Sequence, residues 1–550
     1  MPPPRSAASP DEPVIRDRGD ACPGALRLHP ADDGHLARIR IPGGELTAHQ
    51  ASLLALAADR FGDGHLELTS RGNVQLRGLD EGCGAGLAGL LDAAGLLPAP
   101  GHERVRNIVA TPLSGDGSPG RPDVLPWVRE LDRLLCANAR VTALSGRFLF
   151  AFDDGRGDVA ALEPDVTVLG QPQQRALVRL GAAGGAVSVA AQDAPRAALL
   201  AAEYFLDAAD AAGTRAWRVR ELPVEHALDE GEFTERLGAA GIGAERVAEV
   251  DWPYAEPPMP WGTGSGLRAT LVVLPPLGRL TSAQWRALVQ VADRGQGMRI
   301  TPWRTVVLPH APVRRPINGP ARLTAAGLTV SPGSPWENVT SCTGQPGCAK
   351  ALADVQADAK AAVAAVVPVD VRAGGPADVQ AAVAAGGSAD VHAGAPDGVS
   401  ADVRAGGSAE VHAVVPDGVP ADARAAVAAV VLADAQAGTP AVARAELRAG
   451  GPADVHAGTP AGVQVDARAA AAAGATAGPP AATPGPGRLL PVHWSGCERR
   501  CGHPRGTAWV DVLATSGGYR LSAHGRPVPA GPDLATALRT ARTTSAEPTQ

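Results

Sequence analysis

The chain has 550 residues, of which 50 are basic and 57 acidic, and its formal net charge is −7 at pH 7. This length exceeds what one compact core accommodates and predicts two or three domains, while the mildly acidic balance excludes the strongly basic footprint of a nucleic-acid-binding protein. No apolar stretch has the pattern of a secretory signal or the length of a membrane span, so we expect a cytoplasmic protein with no membrane partner.

The composition changes along the chain. Residues 1–18 are rich in proline, serine and charge, which predicts a disordered N-terminal tail. From Asp20 to about Pro346, apolar runs alternate with Gly/Pro turns, as in mixed α and β structure. Residues 366–485 consist mainly of Ala, Gly, Val, Asp, Pro and Arg and include no aromatic residue, and residues 531–550 form a second predicted flexible tail.

Two longer segments of the mixed region resemble each other. Residues 42–50 (PGGELTAHQ) are similar to residues 276–284 (PLGRLTSAQ), and each segment leads into an Ala/Leu-rich helix with a threonine N-cap and then into a strand. The strands match as residues 66–71 against 298–304, and residues 106–111 match 337–342 in the same order. The chain is therefore predicted to contain two copies of one α+β unit, with a large ligand bound between them.

The segment 366–485 repeats one short unit, Asp-Val-x-Ala. The unit first occurs just before the segment, at residues 354–357, and returns at 370–373, 378–381, 390–393 and 402–405. Repeats this short, interrupted by Gly and Pro, bury little apolar surface and do not build a solenoid. We predict a flexible insert that arose by duplication of the unit.

Four of the seven cysteines form two close pairs, Cys342 with Cys348 and Cys497 with Cys501. Four thiolates supplied by two loops suit a [4Fe–4S] cluster, and the Gly and Pro residues around them allow the backbone to wrap closely. Paired zinc ligands are typically separated by about two to four residues, whereas five separate the first pair here. Structural zinc and unrelated buried thiols remain the alternatives. The other cysteines are predicted to be small buried apolar residues: Cys22, Cys83 and Cys136.

The order C-x5-C followed far downstream by C-x3-C resembles the cluster motif of siroheme-dependent sulfite and nitrite reductases. The segment Thr69-Ser-Arg71-Gly-Asn73-Val-Gln75 is similar to the strand that faces the tetrapyrrole in that superfamily. Arg106-Asn107 resembles a pair whose arginine reaches the distal face of the tetrapyrrole. Together these similarities cover residues 20–345 and 486–530.

The resemblance implies an α+β fold of two pseudo-symmetric halves, each with a ferredoxin-like half-domain and a larger iron–sulfur/tetrapyrrole-binding unit. The half-domains would span residues 19–95 and 255–315. A first larger copy without cluster ligands would span 100–230. The second copy, residues 330–365 together with 486–530, would carry the [4Fe–4S] cluster.

Five stretches resemble one branch of the superfamily, the precorrin-3B synthases of aerobic cobalamin biosynthesis: residues 20–26, 68–73, 152–155, 301–304 and 492–502. That resemblance implies a monooxygenase that uses NADH and O2 to hydroxylate precorrin-3A at C20 and to close a γ-lactone with the ring A acetate. The implied cofactors are a [4Fe–4S] cluster and a mononuclear non-haem iron rather than siroheme.

One segment separates the synthases from the reductases. The reductases place two lysines one residue apart on a strand, whereas here Arg147 keeps one cation and Leu149 replaces the second. A monooxygenase with an organic substrate does not need the second cation, which favours the synthase. A siroheme sulfite or nitrite reductase and a non-catalytic iron–sulfur electron carrier are the alternatives. No G-x-G-x-x-G unit lies in a strand–helix setting, so an external reductase or ferredoxin is an expected partner.

The predicted substrate-binding residues follow from the many carboxylates of a precorrin, each of which an arginine can bind through two hydrogen bonds. They are Arg71, Asn73, Gln75, Arg106 and Arg147. The alternatives are an ordinary surface position for the arginines and a turn contact for the amides. Three further arginines beside the same motifs carry the same alternatives: Arg77, Arg304 and Arg505.

No catalytic residue is predicted. Cys501 matches the thiolate that bridges the cluster and the second metal in the siroheme enzymes. The mononuclear iron is expected to be coordinated by two histidines and a carboxylate, but no motif spacing in the sequence selects among the candidates. These candidates are His493, His503, Asp153, Asp154 and Glu498.

Overall fold

The computed structural model describes residues 20, 23–118, 120–254, 258, 262–263, 268–314, 318–366, 389–391, 400–403, 411–414, 444–448, 452–456, 490–504, 509–528 and 534–543. The chain divides into two compact units, Met1–Ala359 with Pro491–Gly525 and Lys360–Leu490 with Arg526–Gln550. Within the described ranges, every helix is too short or too polar to traverse a lipid bilayer.

The first half-domain begins with a hairpin and contains two helices. Its elements are β1 (His29–Ala31), β2 (Gly34–Ile39), β3 (Glu45–Leu46), α1 (Ala48–Phe61), β4 (His65–Leu68), β5 (Val74–Leu79) and α2 (Gly84–Ala93). The first larger domain follows. It contains β6 (Ile108–Ala110), α3 (Leu125–Ala137), β7 (Phe150–Asp153), β8 (Val166–Gln171), β9 (Arg175–Leu180), β10 (Ala186–Ala190), α4 (Ala194–Ala211), α5 (Glu230–Ala239) and β11 (Ala244–Val247).

The second half-domain repeats the element order of the first. It consists of β12 (Gly262–Thr263), β13 (Arg268–Val273), β14 (Arg279–Thr281), α6 (Ser282–Ala292), β15 (Met298–Ile300), β16 (Val306–Pro312) and α7 (Gly319–Ala325). Next come β17 (Val339–Ser341) and α8 (Val355–Val366). After the insert the chain forms β23 (Val492–Ser495), β24 (Val510–Thr515), β25 (Gly518–Ala523), β26 (Arg526–Pro527) and α9 (Leu534–Thr543).

The insert contributes five short strands to the second unit, most of the segment lying outside the described residues. They are β18 (Ala389–Val391), β19 (Ser400–Val403), β20 (Val411–Val414), β21 (Arg444–Arg448) and β22 (Pro452–His456), paired in that order in one sheet. The flexibility of the insert therefore stays a prediction.

The two half-domains exchange a short strand. Strand β3 pairs with β15 of the second half-domain, with Glu45 opposite Arg299. Strand β14 in turn pairs with β4 of the first half-domain, with Arg279 opposite Glu67. The two five-stranded sheets, β1-β2-β5-β4-β14 and β12-β13-β16-β15-β3, are thereby locked together by reciprocal edges.

Both exchanged strands lead into a helix with the same N-terminal cap. The Thr47 hydroxyl accepts a hydrogen bond from the Gln50 amide at 3.1 Å, and the Gln50 side chain accepts one from the Thr47 amide at 3.0 Å. Thr281 and Gln284 form the same reciprocal pair at 3.2 and 3.0 Å. Such a capping box satisfies two amides that the first helical turn leaves unpaired. The duplication inferred from these segments is confirmed.

Helices α1 and α6 pack together over the paired sheets. Trp285 of α6 is fully buried, and its indole Nε1 donates to the Ala51 carbonyl of α1 at 2.8 Å. Burying a large aromatic side chain with its polar atom satisfied stabilises the packing by roughly 3 kcal/mol. One apolar core therefore serves both half-domains.

The turns after β4 and β15 are equivalent, and they correct one detail of the sequence alignment. The Thr69 hydroxyl accepts from the amides of Arg71 and Asn73, and the Thr301 hydroxyl accepts from those of Trp303 and Thr305. Arg71 therefore corresponds to Trp303, and Arg304 corresponds to Gly72. Both of the latter have positive φ, +59° for Arg304 and +65° for Gly72.

The sheet that begins with β17 repeats the pairing of the first larger domain. In the first domain β6, β7 and β8 are parallel and β9 is antiparallel, and β17, β23, β24 and β25 follow the same order. The amide of Thr111 after β6 donates to the Phe152 carbonyl at 3.0 Å, and that of Cys342 after β17 donates to the Trp494 carbonyl at 2.9 Å. Thr111 therefore occupies in the first copy the place of Cys342 in the second.

Candidate functional site

The two cysteine-bearing loops meet at one edge of a sheet. Strands β17 and β23 are parallel neighbours, so their carboxyl ends lie side by side. Cys342 follows β17 directly and Cys497 follows β23 by one residue. The Gly496 amide donates to the Cys342 sulfur at 3.1 Å, which is a direct contact between segments far apart in the sequence.

The loops around the cysteines require glycine. Gly344 has φ of +70°, and a Cβ there would lie 2.8 Å from Val355 Cγ2. A Cβ on Gly496 would lie 2.6 Å from the Cβ of Ala351. Backbone packed this closely leaves no room for a side chain, as expected of loops that wrap around a bulky inorganic group.

Arg77 fastens the first cysteine loop to the first half-domain. Its guanidinium donates to both carboxylate oxygens of Asp33, at 2.9 and 2.8 Å, and to the Gly347 carbonyl at 2.9 Å. The bond with Asp33 raises the pKa of Arg77, although burial opposes this change. Arg77 was predicted to bind substrate or to be a surface residue, but it is buried and anchors the residue before Cys348.

The four cysteines of the two loops are not equally exposed. Cys342, Cys348 and Cys497 are half-buried and Cys501 is exposed. Burial raises the pKa of the Cys342 thiol, and two backbone amides, those of Gly496 and Gly344, act in the opposite direction by bonding to its sulfur. Among the described residues no three His, Cys, Asp or Glu side chains converge on one metal position. Four cysteines that bind a cube each reach a different iron and need no such convergence.

His493 lies between this edge and Trp509. The ring is fully buried, its Nδ1 lies 2.9 Å from the Thr340 hydroxyl, and its Nε2 has no hydrogen-bond partner in the described part of the chain. Burial lowers the pKa of His493 to about 3, and the nearby Arg304 and His503 act in the same direction. The imidazole is therefore neutral at physiological pH.

The candidate iron ligands do not form a ligand set. His493 and His503 both contact the Trp509 ring, whereas the Asp153 carboxylate accepts from the amides of Gly155, Gly157 and Ala160. Asp154 pairs with Arg156, and Glu498 is exposed and pairs with Arg500 and Arg520. Two histidines and a carboxylate do not come together among the described residues, so the site does not fit the expected non-haem iron.

A cavity of about 610 Å³ lies where the two half-domain turns, the cysteine edge and the first larger domain meet. This volume is in the range of small-molecule and cofactor sites. Its wall combines apolar side chains with a few charged ones: Leu149, Leu162, Leu274, Leu277, Trp303 and Tyr254, with Arg71, Arg304, Asp158, Glu337 and His503. The predicted ligand position between the two copies is thus a cavity in the structure.

Arg304 supplies a cation to this cavity. Its guanidinium approaches Gly502, next to Cys501, and donates no hydrogen bond to any of the residues that the structure describes. Burial lowers the pKa of Arg304. The charge of Glu67 acts in the opposite direction, but no carboxylate accepts a hydrogen bond from the guanidinium among the described residues, so a negatively charged ligand group can bind there.

A second pocket of about 400 Å³ adjoins the first at Ser70 and Arg71. Four arginines line it: Arg38, Arg40, Arg71 and Arg147. Arg71 donates to the Gly146 carbonyl at 3.1 Å, and the Arg147 guanidinium lies over the Trp217 ring at 4.8 Å. The structure thus brings Arg71 and Arg147 together, and adds Arg38 and Arg40, which the sequence analysis missed.

The remaining predicted substrate residues make internal contacts. Arg106 is buried and donates to both oxygens of Asp132, at 2.7 and 2.8 Å, and to the Leu96 carbonyl. These bonds give Arg106 a structural contact, and its placement on the substrate stays a prediction. Asn73 accepts from the Ile41 amide at 2.9 Å, as in the alternative of a structural contact.

Gln75 connects the arginine pocket to β4. It accepts from Arg38 at 2.9 Å and donates to Glu67 at 2.9 Å, which places it behind the arginines rather than on the cavity wall. Cys83 packs against the half-domain core and Cys136 is half-buried. Arg505 and Cys22 lie outside the described residues.

Comparisons with known proteins identify the repeated unit. The nitrite/sulfite reductase ferredoxin-like half domain matches residues 29–83 and again 263–314. The chain is 32% identical over 154 residues to a precorrin-3B synthase of Sinorhizobium sp, covering 28% of this chain and 33% of that protein. It is 26% identical over 351 residues to a ferredoxin–nitrite reductase of Synechococcus elongatus, covering 58% of this chain and 67% of that protein.

Among solved structures, the NirA protein of Mycobacterium tuberculosis superposes with a TM-score of 0.47 at 19% identity, over 60% of this chain and 64% of that chain. The half-domain occurs twice, which confirms the predicted α+β fold with two ferredoxin-like half-domains. The matched relatives are oxidoreductases, and what this chain shares with the nitrite/sulfite reductases is the repeated half-domain at residues 29–83 and 263–314. The chain spans only a third of the precorrin-3B synthase that it matches.

Proposed function

We propose that the protein is a precorrin-3B synthase, which hydroxylates precorrin-3A at C20 and closes a γ-lactone with the ring A acetate. The proposal extends the superfamily placement with the similarity to a precorrin-3B synthase. It also depends on the composition of the cavity wall, which is the observation that carries it.

That wall suits an organic molecule better than a small anion. Leu149, buried to 3% exposure, lines the cavity. The sequence resemblance aligns it with the second lysine of the reductases. Arg147 lies over Trp217 in the adjoining pocket. Two carboxyls, Asp158 and Glu337, also line the cavity and oppose a bound anion such as nitrite or sulfite.

The arginine pocket supports a substrate rich in carboxylates. Guanidinium groups bind carboxylates through paired hydrogen bonds, and four of them converge on a pocket of about 400 Å³. Arg71 lines both pockets, so a carboxylate held there would place the attached ring in the larger cavity. Fixing the ring in this way orders the reacting carbon before the reaction begins.

A [4Fe–4S] cluster would be held by Cys342, Cys348, Cys497 and Cys501, and when bound it supplies single electrons to the site. The chain's own residues hold its loops: Arg77 fixes Gly347, and the Gly496 amide donates to Cys342. The described residues offer no ligand set for the mononuclear iron, and no step is assigned to it. NADH would act through an external reductase or ferredoxin as electron donor.

A siroheme- and [4Fe–4S]-dependent nitrite or sulfite reductase is the second candidate. The match to ferredoxin–nitrite reductase favours it, because that match covers 67% of the relative against 33% for the synthase. A strong Soret absorption band in the purified protein would identify siroheme and favour the reductase.

The deciding experiment supplies precorrin-3A, NADH and a reductase to the anaerobic protein and then admits O2. The proposal predicts a product one oxygen atom heavier that carries a lactone, and no consumption of nitrite or sulfite in a parallel assay. Nitrite-dependent oxidation of the donor without any hydroxylated product would replace the synthase by the reductase.

A further inference from the structure

Asp158 is the one acidic side chain in the cavity wall contributed by the first larger domain, within the part of the chain that the structure describes. It lies in the loop after β7, which corresponds to the loop after β23 that carries Cys497 and Cys501. The first copy therefore presents a carboxyl to the cavity from the loop that carries thiolates in the second copy. We propose that Asp158 is the catalytic acid of the site and donates a proton to the bound substrate. This inference rests on the proposed function.

The orientation of the carboxyl supports the assignment. Asp158 is 3% exposed, and its Oδ1 accepts from the Thr111 hydroxyl at 2.8 Å and from the Val159 amide at 2.7 Å. Its Oδ2 has no hydrogen-bond partner among the described residues and is not one of the oxygens sealed in the core. One oxygen therefore fixes the group, and the other is left without a described partner in a residue that lines the cavity.

The surroundings of Asp158 keep a proton on it. Burial raises the pKa of Asp158 to about 7, and the charges of Asp153 and Asp154 act in the same direction, against the bonds from Thr111 and Val159. A group whose pKa lies near the working pH is the most effective proton donor.

No cation neutralises Asp158 within the described residues. Arg156 and Arg121 pair with Asp154, and Arg179 of β9 donates to the Ala160 carbonyl. The charged and titratable groups elsewhere on the cavity wall are Arg71, Arg304, Glu337, His503 and Tyr254. The Asp153 carboxylate accepts from three backbone amides and does not line the cavity. It therefore holds the loop in place, whereas Asp158 faces the ligand site.

The proton transfer balances in a simple way. Hydroxylation places one oxygen atom of O2 in the product and releases the other as water, with two electrons from the NADH-linked donor and two protons. Asp158 supplies one proton: its Oδ2–H bond breaks, the electron pair stays on the carboxylate, and the proton bonds to the oxygen atom of the bound substrate O2 that leaves as water. The second proton comes from solvent water. Thr111 and Val159 stabilise the resulting anion, which takes a proton from water before the next turnover.

The test compares Asp158→Asn with the wild type in single-turnover product formation across a pH series. Wild-type turnover should fall as pH rises through about 7, because the donor is then deprotonated. Asp158→Asn keeps the oxygen that accepts from Thr111 and loses the acidic proton. This variant should be slower by about 100-fold, and its rate should not fall as pH rises through about 7. Its substrate affinity and cluster content should be unchanged. In Thr111→Val the fall in turnover should occur at higher pH, since the substitution removes a hydrogen bond that lowers the pKa of Asp158.

Infrared spectroscopy gives a second readout that needs no turnover. The carbonyl stretch of a protonated carboxyl should titrate near pH 7 in the wild type, and this component should be missing from Asp158→Asn, which keeps only the component of Asp154, whose pKa burial raises to about 6. A neighbouring change, Glu163→Gln, should leave both components in place. A wild-type rate and pH dependence in Asp158→Asn would overturn the inference, and so would survival of the component near pH 7. A wild type that titrates in the infrared but makes no lactone would instead reject the proposed synthase function.

Discussion

The attachment of the first cysteine loop to the half-domain through Arg77 gives the most specific structural prediction. Arg77→Met keeps most of the apolar stem and removes all three donors, which leaves Asp33 and the Gly347 carbonyl without their partner. Arg77 is 6% exposed and Asp33 22%, so solvent recovers only part of the loss. Breaking a buried ion pair costs about 3–5 kcal/mol, and the partial exposure of Asp33 reduces this to roughly 3 kcal/mol.

The matched control is Arg129→Met. Arg129 also donates to both oxygens of a carboxylate, that of Glu45, at 3.0 and 2.8 Å, but it is 64% exposed. A surface pair of this kind contributes about 0–1 kcal/mol. The assays are urea unfolding followed by tryptophan fluorescence, and the acid-labile sulfide content of anaerobically purified protein. Equal stability loss in both variants, with full sulfide in Arg77→Met, would refute the role assigned to Arg77.

Three further predictions concern the loops, the arginine pocket and pH. Gly496→Ala should lower the iron and sulfide content, because its Cβ would lie 2.6 Å from the Cβ of Ala351. Gly89→Ala is the control and should leave the content unchanged, because a Cβ there meets nothing within 4 Å. Normal cluster content in Gly496→Ala would contradict the close packing. Arg71→Gln should weaken precorrin-3A binding about tenfold or more in equilibrium titrations, and the surface change Arg286→Gln should leave it unchanged, an equal effect of both being evidence against the pocket. The folded-state pKa of Asp158 lies above the unfolded one, so the folded protein binds the extra proton, and Asp158 should destabilise it progressively as pH rises from about 4 to about 7. Urea unfolding midpoints measured from about pH 4 to about pH 7 check this, because the loss of stability with rising pH should be smaller in Asp158→Asn than in the wild type. An equal loss in both proteins would contradict the prediction.

The duplication could be predicted because its signals are local. Both copies contain a threonine at the helix N-cap and a glutamine three residues later, and the structure shows the same reciprocal hydrogen bonds at Thr47 and Thr281. The exchange of β3 and β14 between the halves could not be predicted in the same way. Strands of two and three residues contain no pattern that specifies their partner.

The arginines show where residue type alone misleads. Arg304 was aligned with Arg71 because both are arginine, but the turn is set by the threonine hydroxyls and places Arg304 opposite Gly72. Arg77 and Arg106 resembled substrate ligands, although their carboxylate partners, Asp33 and Asp132, lie elsewhere in the sequence and become neighbours only in the fold. Arg38 and Arg40 could have been found, because Arg38 lies on β2, Arg40 follows the strand directly, and residues two apart in an extended segment share a face.

The cysteine pairs were the strongest sequence signal, and the structure explains why they can act together. Parallel strands β17 and β23 end at the same edge, so two loops separated by the long insert start from one place and would supply their ligands there. The equivalent edge of the first copy carries Thr111 and a loop held by the Asp153 carboxylate through three backbone amides. A carboxylate thus organises in one copy the loop that would wrap a cluster in the other.

The most direct test of this account is electron paramagnetic resonance of the anaerobically purified and reduced protein, with iron and sulfide analysis of the same sample. The account predicts the signal of a reduced [4Fe–4S] cluster with about four iron and about four sulfide per chain, and its loss in Cys342→Ser and Cys497→Ser but not in Cys136→Ser. Bound zinc, or the absence of iron and sulfide under strict exclusion of air, would contradict it.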